Sequence, residues 1–215
     1  LFGSARTARP RQWGSVRVSS QTPIVTYAII GVCVALWVGD ILTKGLITQY
    51  LGFTPIHGLY QPWRILTTAF LHVNLMHIAF NMVSLYAIGR ALEPALGRGP
   101  YFCLYLLSAL GGTLGVLGWV LIDPSSALTV TVGASGAIFG LFGSVFVLQR
   151  AAGIDVRAVV GLLAVNLLYG FIVSGVSWQA HLGGLLFGML ATWGMLALGK
   201  PRSGMTAKKQ RRRLY

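Results

Sequence analysis

Residues 178–199 read WQAHLGGLLFGMLATWGMLALG, a stretch without a single Asp, Glu, Lys or Arg. A bilayer core needs about 20 predominantly apolar residues in helix, because lipid offers backbone N–H and C=O groups no other partner. The stretch therefore reads as a membrane-spanning helix. Its first turn nevertheless carries Gln179 and His181, and polar groups inside a span are costly enough to be functional candidates.

Moving outward, five further runs meet the same criterion, at about 23–42, 70–90, 101–122, 133–149 and 157–174. Across all 215 residues the chain is 55% hydrophobic and only 10% charged, with a mean hydropathy of +0.71. These are not the values of a water-soluble domain. The expected fold class is all-α, a polytopic membrane protein with a bundle of six transmembrane helices over 22–199. Basic tails are expected on either side, at 1–21 and 200–215. The first residue is Leu1 rather than Met, so the N-terminal tail is open to continuation upstream. No signal peptide is expected, since more than twenty mixed residues precede the first apolar run and no small-residue cleavage pattern follows it.

Seventeen Lys and Arg against four Asp and Glu leave a net charge of +13. Such an excess would suit nucleic acid if it lined one folded face. Instead it divides between the ends, with Arg6, Arg9, Arg11 and Arg17 before the first span and Lys200, Arg202, Lys208, Lys209, Arg211, Arg212 and Arg213 after the last. No nucleic-acid partner is expected, and the lipid bilayer is. Arg90, Arg98, Arg150 and Arg157 flank the loops after spans two and four, whereas only Lys44 and Arg64 fall on the opposite side. Because Lys and Arg concentrate in cytoplasmic loops, both termini are expected in the cytosol. Cys33 and Cys103 each sit within an apolar run and imply no disulfide framework.

The first outer connection, about 43–69, interleaves Leu46, Tyr50, Phe53, Tyr60 and Trp63 with Gly and Pro. Two readings stand beside each other: a structured loop partly sunk in the outer leaflet, or a tether whose aromatics anchor the interface. Glycines cluster in spans three, four and six, where close backbone approach drives helix association in lipid. Spans four and six are expected to pack closely.

The polar side chains inside the spans converge on one chemistry. Gly133-Ala134-Ser135-Gly136-Ala137 sets a serine at the first turn of span four, where free N–H groups and the positive end of the helix dipole favour an oxyanion. The plain alternative is a serine that caps or bonds back to its own helix. His181 lies at similar depth in span six and could take the serine proton and return it to a leaving amine. Gly184 and Gly188 share its face, so His181 could equally be a polar packing residue in a small-xxx-small motif. Span two contributes His72, His77 and Asn81, with His77 and Asn81 one turn apart on a common face as potential donors to developing negative charge. A zinc protease would need His-Glu-x-x-His or a carboxylate base beside the metal, and the four acids Asp40, Glu93, Asp123 and Asp155 lie near span ends. Neither a metal nor another cofactor is expected. Phe139, four residues after Ser135, is placed to stack on His181 or simply to fill the core.

Trp63-Arg64 in the first loop, His72, His77 and Asn81, Gly133-x-Ser135-Gly136, and His181 followed by Gly184 and Gly188 together resemble the rhomboid intramembrane serine proteases. The resemblance implies a rhomboid-like six-helix core with Ser135 as nucleophile and His181 as general base then acid. It also implies an oxyanion site from the Ser135 N–H, His77 and Asn81, with His72, Gly133, Trp63 and Arg64 in support. Phe139 departs from members that have Tyr there, which removes any hydroxyl contribution. Substrates implied by the resemblance are single-span membrane proteins, and the implied location is a bacterial inner membrane with the active site opening outward. A catalytically inactive relative that binds membrane clients is the competing reading, as is, in a different class, a transporter with inverted repeats, of which none is visible.

Overall fold

A computed structural model describes residues 22–58, 60–173 and 175–199, so the basic tails expected over 1–21 and 200–215 lie outside it. Each expected span coincides with a helix: α1 (Ile24–Leu42), α5 (Leu75–Leu96), α6 (Arg98–Trp119), α7 (Ser135–Ala151), α8 (Arg157–Ile172) and α9 (Trp178–Gly199). Three short helices, α2 (Leu46–Leu51), α3 (Pro55–Gly58) and α4 (Arg64–Thr67), fold the connection between α1 and α5. The described residues thus form the all-α membrane bundle expected. The first loop is structured, as one of its two readings held.

Four of the six, α1, α5, α6 and α9, have both the length and the apolarity to cross a membrane. α7 and α8 are apolar but shorter, at 17 and 16 residues, or about 26 and 24 Å at 1.5 Å per residue. The shortfall of α7 has a visible cause at its start. Residues 129–134 approach it in a non-helical conformation and find their hydrogen bonds within the protein. Phe53 and Thr131 form an isolated antiparallel bridge, the Gly133 N–H donates to the Thr68 carbonyl at 3.0 Å, and the Thr68 hydroxyl donates to the Thr131 carbonyl. Irregular backbone is tolerated at membrane depth only when satisfied in this way.

Span two needs a correction at its beginning. Its helix starts at Leu75, not near 70, because Asn74 caps it: the Asn74 Oδ1 accepts from the His77 N–H at 2.8 Å. His72 consequently lies before the helix. At the other end α5 runs through Pro94 to Leu96, past the expected boundary at 90.

α6, α7 and α9 form the centre of the bundle. Bare glycine backbone meets bare backbone across them: a Cβ built at Gly184 would strike the Gly136 carbonyl, one at Gly188 the Gly140 carbonyl, and one at Gly183 the Gly111 carbonyl. The expected pairing of spans four and six is present, and α9 presses as closely on α6, which glycine counting alone did not single out. Tyr101, Leu104, Tyr105, Leu141, Leu85 and Cys33 are fully enclosed beside this seam. Cys103, in contrast, is exposed, and both cysteines are free. Loop and bundle are tied by Tyr105 Oη donating to the Ala69 carbonyl at 3.0 Å and Thr113 Oγ1 to the Ile65 carbonyl at 2.8 Å.

α1 is fastened by a carboxylate. Glu93, 2% exposed, accepts from the Val25 N–H at 2.9 Å and from the Thr26 N–H and hydroxyl at 2.8 Å each. It therefore serves the otherwise unpaired first-turn donors of a neighbouring helix. Glu93→Ala strands those donors, and a loss of about 2–3 kcal/mol is expected. Scanning calorimetry of the detergent-solubilised protein should read this as a Tm about 5–10 °C lower. An unchanged Tm would mean that the cap contributes nothing.

Candidate active site

Ser135 is the first residue of α7, and Ala134 before it is the N-cap without any side-chain cap. The serine hydroxyl therefore does not cap its own helix. It meets His181 instead, at 3.0 Å from Oγ to Nε2. His181 sits one turn into α9, 6% exposed. Two helices far apart in sequence bring these atoms together because nothing larger than hydrogen separates them: Gly136, adjacent to Ser135, takes the approach of Gly184, three residues after His181. Gly188 and Gly140 repeat the contact a turn further on.

The imidazole is held flat. Phe139 stacks on it with ring centroids 4.1 Å apart and an interplanar angle of 9°. The position a Cβ of Gly170 would take is 3.4 Å from His181 Nδ1. That residue of α8 was not singled out from sequence, where an isolated glycine carries no signal of what it faces. Nδ1 has no hydrogen-bond partner among the described residues.

Gly133 is required on two grounds. Its φ of +135° is one that residues with a Cβ rarely adopt, and a Cβ there would come within 2.8 Å of His77 Cε1 and Nε2. The same point is 3.6 Å from Ser135 Oγ. His77 is thus brought to the serine across the glycine backbone. Asn81, 7% exposed, stands one turn below, and its Nδ2 donates to the His77 carbonyl at 3.0 Å. One amide hydrogen of Asn81 is thereby engaged in its own helix, leaving the second for another acceptor.

His72 is 2% exposed and sets its ring edge-on to His77 at 5.0 Å between centroids. Trp63 and Arg64 bond within the first loop rather than at Ser135: the indole N–H donates to the Tyr50 carbonyl at 3.2 Å, while buried Arg64 donates through Nη1 to the Gly52 carbonyl at 2.6 Å and through Nε to Gln61. Sequence reasoning missed Phe53, Thr68 and Thr131, which moor the strand-like approach to Ser135, since hydroxyls and loop residues of this kind bear no pattern until the loop is folded. Among the described residues no three His, Cys, Asp or Glu side chains gather in a way that would hold a metal.

The site can be summarised chemically: a hydroxyl in contact with an imidazole, beside a helix N-terminus and two further polar side chains, in a bundle built to cross a membrane. Comparison with known proteins points the same way. A family profile described as the Rhomboid domain matches residues 59–198. The chain is 33% identical over 155 residues to rhomboid protease GluP of Bacillus subtilis, and 34% identical over 184 residues to the putative rhomboid protease YdcA of the same organism. It is also 30% identical over 152 residues to rhomboid protease AarA of Providencia stuartii. These matches take in 68%, 80% and 60% of this chain, but 28%, 87% and 54% of the respective relatives. With the domain match running from the first loop to the end of α9, through both Ser135 and His181, the chain belongs to the rhomboid family.

Proposed function

We propose that the chain is an intramembrane serine endopeptidase that hydrolyses peptide bonds in or near the transmembrane helix of single-span membrane proteins. The observation that carries this reading is the 3.0 Å contact between Ser135 Oγ and His181 Nε2. The protease names of its relatives add support.

In the proposed reaction His181, neutral with its proton on Nδ1, accepts the Ser135 proton at Nε2 as Oγ attacks the substrate carbonyl carbon. The tetrahedral oxyanion faces the Ser135 N–H, His77 and Asn81. His181 then gives its proton to the departing amine as the C–N bond breaks, leaving an acyl ester on Ser135. Water, deprotonated by His181, cleaves the ester and restores both side chains. His77, Asn81, Ser135 and His181 would line the wet cavity that supplies this water, while His72, Gly133, Phe139, Gly184 and Gly188 hold the arrangement and Trp63 and Arg64 hold the loop. A substrate helix has to unwind for its carbonyl to reach Ser135, so Gly or Pro near the cut should favour cleavage. The distribution of basic residues supports cytosolic termini and a site opening to the outer side of a bacterial inner membrane.

The test is cleavage of a single-span substrate in liposomes by wild type, Ser135→Ala and His181→Ala. Equal cleavage by wild type and Ser135→Ala overturns the assignment, and absence of cleavage by wild type returns the chain to the client-binding reading. For the oxyanion role, Asn81→Ala should lower kcat about 10- to 100-fold with KM changed by less than about twofold. A KM effect without a kcat effect would move Asn81 from the reacting centre to substrate binding.

A further inference from the structure

The chain has only four acidic side chains, and all four are engaged. Asp40 accepts from the Thr48 N–H and hydroxyl at 2.7 Å each. Glu93 caps α1. Asp123 accepts from the N–H and hydroxyl of Ser125, and Asp155 accepts from the Arg157 N–H at 2.9 Å, with its carboxylate 4.0 Å from the Arg157 side chain. That is the single ion pair among the described residues. Among the described residues Arg90 therefore makes no ion pair, although Glu93 lies one turn away on the same helix.

Arg90 is nonetheless positioned. Its guanidinium carbon is 5.8 Å from the centroid of the Tyr86 ring, a cation–π arrangement. Tyr86 in turn stacks on Tyr27 of α1, with centroids 6.2 Å apart and planes 22° from parallel. Both rings are nearly half exposed, at 47% for Tyr27 and 42% for Tyr86. Toward the middle of α5 the same stripe continues through Val83 and Phe80, each 68% exposed. A fixed cation, two amphipathic rings and an apolar track thus succeed one another down the seam of α1 and α5. The cation end is thirteen residues from His77, or about 20 Å along the helix, at the far face of the bundle from Ser135.

We propose that Tyr27, Tyr86 and Arg90 form a binding site for an anionic phospholipid, the phosphate on Arg90, the glycerol region against the tyrosines and an acyl chain along Val83 and Phe80. Complementarity carries the choice of ligand. The guanidinium has no ion-pair partner among the described residues, its geometry suits bidentate phosphate contact, and tyrosine rings settle at headgroup depth. A soluble phosphate would use the cation but not the rings or the track. The site rests on the membrane reading of the bundle and is independent of the proteolytic one.

Native mass spectrometry of the delipidated full chain in neutral detergent tests it, with phosphatidylglycerol, phosphatidylcholine and inorganic phosphate as probes. Wild type should bind one phosphatidylglycerol about tenfold more tightly than phosphatidylcholine, and Arg90→Gln should abolish that preference. Tyr86→Leu should weaken phosphatidylglycerol several-fold while keeping the charge. Arg157→Gln, at the same face and remote from the seam, should leave binding unchanged. Equal losses in Arg90→Gln and Arg157→Gln would reveal a diffuse field instead of a site. Displacement of the lipid by equimolar inorganic phosphate would overturn the ligand class. Because no cleavage is measured, failure here is distinct from failure of the protease assignment.

Discussion

Ser135→Ala is expected to abolish the proposed cleavage of a single-span substrate while leaving the fold intact. Removing a nucleophile from a serine–histidine unit lowers kcat by a factor on the order of 10⁶, which takes any realistic assay below detection. The fold survives because the hydroxyl has no structural task. Ala134, not Ser135, is the N-cap of α7, and the contact Ser135 makes is with His181. Stability should accordingly change by less than about 1 kcal/mol, and a fluorophosphonate probe that labels wild type should fail to label the variant. A Ser135→Ala protein that has lost both activity and its thermal transition would point to a packing serine.

Gly184→Ala is the second large effect, and it adds one methyl group. The new Cβ meets the carbonyl oxygen, carbonyl carbon and Cα of Gly136, all of them backbone that has no rotamer by which to yield. α7 and α9 must separate beside the two residues that have to meet. Overpacking of this type costs about 1–3 kcal/mol, and a displacement of about 1 Å at reacting groups costs about 10²-fold in rate. The expected result is a folded, less stable protein with kcat down at least about 100-fold. Gly194→Ala supplies the control on the same helix, since a Cβ there meets nothing within 4 Å. It should be neutral or slightly stabilising, by up to about 1 kcal/mol. Equal effects of the two substitutions would show that the seam does not position the dyad.

Why Gly184 and Gly194 differ illustrates where sequence reading reaches its limit. Both are glycines of one apolar helix; the face shared with His181 marks Gly184 in the sequence, but only the position of the Gly136 backbone shows what a methyl group there would meet. The first-loop residues give a second case. The resemblance implies Arg64 only as support, and the structure supplies its partners: it is buried on the Gly52 carbonyl and Gln61, where it holds the loop. Thr68 and Thr131, unremarkable in sequence, moor the approach to Ser135.

Composition and hydrophobic runs by themselves determined that the chain crosses a membrane and where its helices run, because lipid imposes a length and an apolarity that single segments must satisfy alone. They also brought Ser135, His77, Asn81 and His181 forward, since polar groups in such segments stand out by their cost. Helix ends were less legible, as the Asn74 cap shows, because a cap is a hydrogen bond rather than a composition. Tertiary structure alone decided which atoms meet: that Nε2 of His181 lies on Ser135 Oγ, that Phe139 stacks on that ring, that Gly133 makes room for His77, and that Glu93 closes the end of α1. Those contacts depend on how close two backbones can come, and that distance is set jointly by side chains from separate helices, which no single segment of sequence contains.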